Sequence, residues 1–181
     1  MMNLLYPRVP LASLQMMFGY ALAGAILAGL YGMAHDEVTY SISPEYFTRL
    51  KFAQFHYADF GLPDRLFVAE IGFLATWWVG LFAGWFIARV VVPGCSRREA
   101  RRSCVRGFLI VIAFGLGATI LGYVLGLLHG TDYSAWESTA SALGVLDLRS
   151  FVRVAYIHDA GYLGGLAGLV TAIIYLRWQQ R

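Results

Sequence analysis

Charge is what this sequence has least of. Only 14% of its 181 residues are Asp, Glu, Lys or Arg, against roughly 25% in a soluble globular domain. With 59% hydrophobic residues beside it, that scarcity argues against a soluble fold. Cysteine is nearly absent. Cys95 and Cys104 stand in a basic stretch with no histidine beside them, which makes a poor zinc site and leaves reduced thiols or a lipidation site. With no other cysteine pair in the chain, disulfide exchange at the opposite face is excluded. The chain also lacks a G-x-x-x-x-G-K-[ST] phosphate loop and an H-E-x-x-H helix. Its glycines fall inside apolar runs, not in a strand–helix turn that would cradle a dinucleotide. Pro7, Pro10, Pro44, Pro63 and Pro93 stay clear of the centres of those runs, which are therefore free to be helical.

What is present is apolar length. Runs at 11–34, 66–92, 107–128 and 156–176 each reach or exceed the ~20 helical residues that cross a hydrocarbon core of ~30 Å. The expected fold is an all-α, four-transmembrane-helix bundle in a single membrane domain, 1–181. A first half at 11–92 and a second at 107–178 flank a basic loop at 93–106. The first run exceeds a signal-peptide core of about 7–15 residues and no clear A-x-A site follows, so it is expected to be retained.

The basic residues orient the bundle. Nine lie with the two termini (Arg8, Arg89, Arg97, Arg98, Arg101, Arg102, Arg106, Arg177 and Arg181) and five on the other side, Arg49, Lys51, Arg65, Arg149 and Arg153. The positive-inside rule then puts both termini and the 93–106 loop in the cytoplasm, as in a multi-pass bacterial inner-membrane protein. The net charge of +3 therefore reflects a topology signal that also touches anionic lipid, not a nucleic-acid partner. Trp136, Tyr175 and Trp178 fit interface anchoring.

In the outer connections, Ser43-Pro44-Glu45 is a helix start, opening a short interfacial helix with Phe47, Leu50 and Gln54 on one side. A second short helix is expected at 134–143, closed by Gly144, and Asp147 is a cap for the turn leading into the fourth run.

The halves match. Ala21, Ala25, Ala28, Gly32 and His35 have the same spacings as Gly115, Thr119, Gly122, Gly126 and His129, and Glu70-Ile-Gly72-Phe-Leu74 matches Asp159-Ala-Gly161-Tyr-Leu163. Both halves run in–out–in, so the expected internal duplication is parallel. Each small-residue stripe lets a second helix approach closely.

All four histidines, His35, His56, His129 and His158, fall on the outer side, as do Glu70 and Asp159. Imidazole with carboxylate suits a transition metal such as Zn, Cu, Fe or Mn. The expected ligands are His35, Glu70, His129 and His158. Asp159 is a fifth, or fixes an imidazole from outside, and phase places it nearly opposite the glycine stripe of its helix. His56 and Asp59 are expected to cover the site. Two other readings compete. A b-type haem or quinone redox subunit would use histidines of the first and third runs. A scaffold or accessory subunit would use its glycine stripes and aromatics for lipid and for a second copy or partner subunit. Histidine at a helix C-terminus can also simply cap carbonyls, which accounts for His35 and His129 but not for the acids.

Overall fold

The computed structural model describes residue 9, residues 11–128 and residues 133–180. Helices α1 (Leu11–Ile42), α3 (Asp64–Val91), α4 (Arg97–Leu128) and α6 (Leu148–Trp178) are the long elements, and all four are long and apolar enough to cross a membrane. Among the described residues there is no strand. The α1–α3 connection holds a π-helical turn, Tyr46–Lys51, the short α2 (Phe52–Gln54) and a 3₁₀ turn, His56–Ala58; α5 (Glu137–Leu143) lies between α4 and α6.

Each long helix continues past the apolar run that marks it. Helix α1 passes Ala34 and ends at Ile42, where Pro44 follows and disfavours helix in the residue before it. Ser43 Oγ then accepts from Tyr46 N–H at 3.4 Å. Helix α4 starts at Arg97, so most of the expected basic loop is helical. Its start is a capping box: Ser96 N–H donates to Glu99 Oε2 at 3.0 Å and Glu99 N–H to Ser96 Oγ at 3.4 Å. Helix α6 starts at Leu148 because the Asp147 carboxylate accepts from Ser150 N–H at 3.1 Å. Helix α5 closes as expected at Gly144, whose φ of 66° only glycine adopts freely.

Two antiparallel hairpins make the bundle, α1 with α3 and α4 with α6. In the first, backbones nearly touch: a Cβ on Gly24 would strike Gly80 O, and one on Gly72 would strike Gly32 O. The Thr76 hydroxyl exploits this approach, reaching Ala28 O on α1 at 2.7 Å and Gly72 O on its own helix at 2.8 Å. In the second, Gly122 faces Tyr156 and Ala160, while Gly164 faces Ala118. The device is shared but the register is not. The residue-by-residue match would set Gly126 against Gly161, as Gly32 meets Gly72. Instead Gly126 meets Arg153, and Gly161 lies by Thr119.

Two apolar cores join the hairpins. At the end carrying the 43–63 connection, Tyr46, Phe47, Val68, Phe151 and Val154 are buried together. At the opposite end Met17, Ile87, Ala100, Cys104 and Leu176 are. Cys104 is thereby enclosed and no lipidation site. Both cysteines are free thiols.

Gly72→Ala should force α1 and α3 apart and cost about 1–3 kcal/mol, the usual penalty for overpacking. Gly19→Ala, with open space around it, should be neutral or slightly stabilising, alanine being the better helix former. Helical melting of the two variants in detergent checks this pair.

Candidate functional site

The Gly32–Gly72 contact fixes the rotation of α1, and Asp36 follows Gly32 by one turn on the same face. Asp36 is 5% exposed, and so is His158 of α6. The His158 ring sits between two oxygens, with Nδ1 3.0 Å from Val154 O and Nε2 3.2 Å from Asp36 Oδ1. A carbonyl can only accept, so Nδ1 carries a proton and donates it to Val154. Nε2 of the neutral ring would then aim a lone pair at a carboxylate. The arrangement is satisfied only if a proton or a metal ion lies between His158 and Asp36. A backbone carbonyl holding the far nitrogen is the usual way a metal-binding imidazole is oriented.

His35 completes the group. Its ring meets that of His158 edge-on, centroids 4.9 Å apart, and makes no hydrogen bond among the described residues. Ligand atoms of His35, Asp36 and His158 all lie within 4.8 Å of one another, so the three can hold a metal ion. Bonds of about 2.0–2.2 Å require only a modest closure. Because α1 continues to Ile42, His35 lies about two turns inside its helix and has no C-terminal carbonyls to cap.

The π-helical turn covers the group. Tyr46 stacks on His158 with centroids 4.9 Å apart, and Phe47 meets it edge-on. Glu45 holds the cover down, its carboxylate accepting from Leu146 N–H at 3.1 Å and Asp147 N–H at 2.7 Å. Lys51 lies 5.7 Å from the Tyr46 ring centroid. Burial pushes its ammonium below the usual lysine range, while Asp36 and Asp159 pull the other way. Burial also raises the Tyr46 phenol, which stays protonated. This segment was expected as a separate interfacial helix. It is instead the roof of the site, because Tyr46 and Phe47 find an apolar core to enter.

Of the other expected ligands, Glu70 and Asp159 are not brought into this group. His129 lies outside the described residues. Glu70 is two residues from Gly72 and so on another side of α3; its Oε2 is enclosed without a partner among the described residues, as is Arg153 Nε. Asp159, one residue past His158, is exposed. The two residues expected to cover the site are engaged locally: His56 is exposed with Nδ1 3.0 Å from Ala53 O, and Asp59 Oδ1 accepts from Gly61 N–H at 2.9 Å. Sequence reasoning missed Asp36 and Lys51. Asp36 was findable, since it extends the α1 stripe by one turn and repeats the His-Asp pair at 158–159.

Comparison with protein-family models, curated proteins and solved structures finds no match to this chain.

Glu45→Ala should release the roof, costing about 1–3 kcal/mol for a lost charge-assisted contact. Amide exchange should then quicken at 46–51 and at Leu146 and Asp147, and an unchanged exchange pattern would show that Glu45 holds nothing.

Proposed function

We propose that this is a multi-pass inner-membrane protein, with four transmembrane helices and cytoplasmic termini, that holds a transition-metal ion near its extracytoplasmic mouth through His35, Asp36 and His158. The observation that carries this reading is the His158 ring. One nitrogen is committed to Val154 O and the other faces Asp36 Oδ1, with His35 close enough to contribute a third ligand atom. Two imidazoles and a carboxylate suit Zn, Cu, Fe or Mn, whereas Mg or Ca would call for oxygens throughout. A cation also offsets the cost of placing Asp36 at membrane depth, about 2.5–3.5 kcal/mol at a helix centre on insertion scales and less toward the interface. Three protein ligands leave a coordination position open, as in sites where a metal is exchanged or acts on a ligand. His129, outside the described residues, is not part of this three-ligand set. Glu70 and Asp159, which the broader expectation included, are not ligands in this narrower set. The internal duplication is proposed for the hairpins and not for their residue register.

The b-type haem alternative takes its histidines from the first and third runs, His35 and His129. The test is elemental analysis with an absorption spectrum on detergent-purified protein. Near-stoichiometric metal is expected in the wild type. Each of His35→Ala, Asp36→Asn and His158→Ala should weaken it by about 100-fold or more, at least the loss seen for residues that merely support a ligand. His56→Ala should keep it, and retention in Glu70→Gln and Asp159→Asn would favour the narrower set. A Soret band would replace the metal reading with haem. Wild type free of metal even after incubation with these ions would overturn it.

A further inference from the structure

Between the two apolar cores the bundle is hollow. A cavity of about 150 Å³ is bounded by all four long helices, for example by Ala28, Val79, Val111 and Gly165. Along α1 its lining extends from Gly24 to Asp36, or about 18 Å at 1.5 Å per residue, so it is narrow for its length. At one end stand Tyr31, His35, Asp36 and His158; towards the other the lining is apolar down to Phe108. Leu27 and Val79 line it yet remain more than a third exposed, so it is not sealed within the bundle.

Two of the lining glycines are not explained by helix packing. A Cβ on Gly165 would meet nothing within 4 Å, and one on Gly115 would approach only the Tyr31 hydroxyl, at 3.9 Å. Gly24 and Gly80, which also line the cavity, are each pressed against the facing helix; these two are not. Alanine or a larger residue at these two positions would favour helix but would take up space in the cavity. An apolar void of this size stays dry and takes up an apolar group.

We propose that the cavity binds a membrane amphiphile with a single long apolar chain and an uncharged carbonyl or hydroxyl headgroup, the headgroup seated beside His35. A lining about 18 Å long around a volume of about 150 Å³ suits one extended chain. Asp36 is already paired with His158, so the lining offers no unpaired charge to a charged head, while the His35 ring can donate to, or accept from, a neutral oxygen. Pockets that are mostly apolar with a few convergent polar groups are the usual form of small-molecule sites. This site goes beyond the metal reading and does not require it.

Equilibrium dialysis of labelled 1-decanol, decyl-benzoquinone and decanoate against the detergent-purified full chain tests the proposal. At least one neutral probe should bind saturably, one per chain, and decanoate about tenfold more weakly or worse. The stronger neutral probe separates a quinone-type head from an alcohol. Gly165→Leu should weaken binding by about tenfold or more. Gly115→Leu, which fills the same space from α4, should do likewise and serves should Gly165→Leu lose its helical spectrum. Gly117→Leu, whose Cβ also meets nothing within 4 Å but lies outside the cavity, should bind as wild type. Saturable binding absent from the wild type, decanoate binding as well as the neutral probes, or fillers matching Gly117→Leu would each overturn the proposal. Metal content measured on the same samples should be unchanged in Gly165→Leu, so failure of the metal site and failure of the lipid site read separately.

Discussion

The contact of α1 with α3 through facing glycines is the constraint from which the rest follows. Two helices brought to backbone contact at Gly24–Gly80 and again at Gly32–Gly72 cannot rotate about their axes without collision. In a bilayer, where apolar side chains gain little by leaving lipid, such close packing and the hydrogen bonds it permits hold helices together. The Thr76 hydroxyl, within reach of Ala28 O, is one of those bonds. With α1 rotationally fixed, residue 36 has to face the bundle interior. The burial of the aspartate there is a consequence of where Gly32 must sit.

The same small side chains explain why the middle of the bundle is open. A four-helix bundle normally fills its centre with large apolar residues from facing helices. Here the large residues gather at the ends, Phe47 and Phe151 in one core and Met17, Ile87 and Leu176 in the other. Glycine and alanine occupy much of the length between. The end cores hold the hairpins at a fixed separation that the middle does not need to enforce, so the cavity can persist without collapse.

Hydropathy made the four long helices legible but not their ends. A helix continues through polar residues when it is capped, and an apolar window stops short of them. Ser96 with Glu99 spells a capping box that puts the helix start ten residues before the apolar run at 107, and Asp147 caps a helix that begins at Leu148. The site was half legible. His35 and His158 could be chosen because both follow small-residue faces. Glu70 and Asp159 were chosen because they match one another across the halves, yet correspondence in sequence does not impose correspondence in rotation. The two hairpins pack in different registers, so equivalent positions point in different directions. Asp36 needed only the period of its own helix. Lys51 could not be found that way, because the π-helical turn that carries it departs from the ordinary helical spacing.

The roof and the His158–Asp36 pair are parts of one electrostatic problem. Asp36 and Asp159 bring two negative charges to the covered end of the bundle, and Lys51 answers with one positive charge that burial weakens. Among the described residues, the His158–Asp36 contact is where a further positive charge fits, because there a ring nitrogen and a carboxylate oxygen face each other without a donor already assigned. A proton in that position makes an imidazolium–carboxylate pair that stands on its own. A metal in its place draws in His35 as well, and so ties α1 to α6 by two side chains where the proton ties them by one. The stacked Tyr46 ring covers either state, and Glu45 fastens that cover to the start of the helix bearing His158. The pair that joins the hairpins, the Tyr46 ring stacked over it and the Glu45 contact that fastens the turn therefore form one continuous path from α1 through His158 to the start of α6.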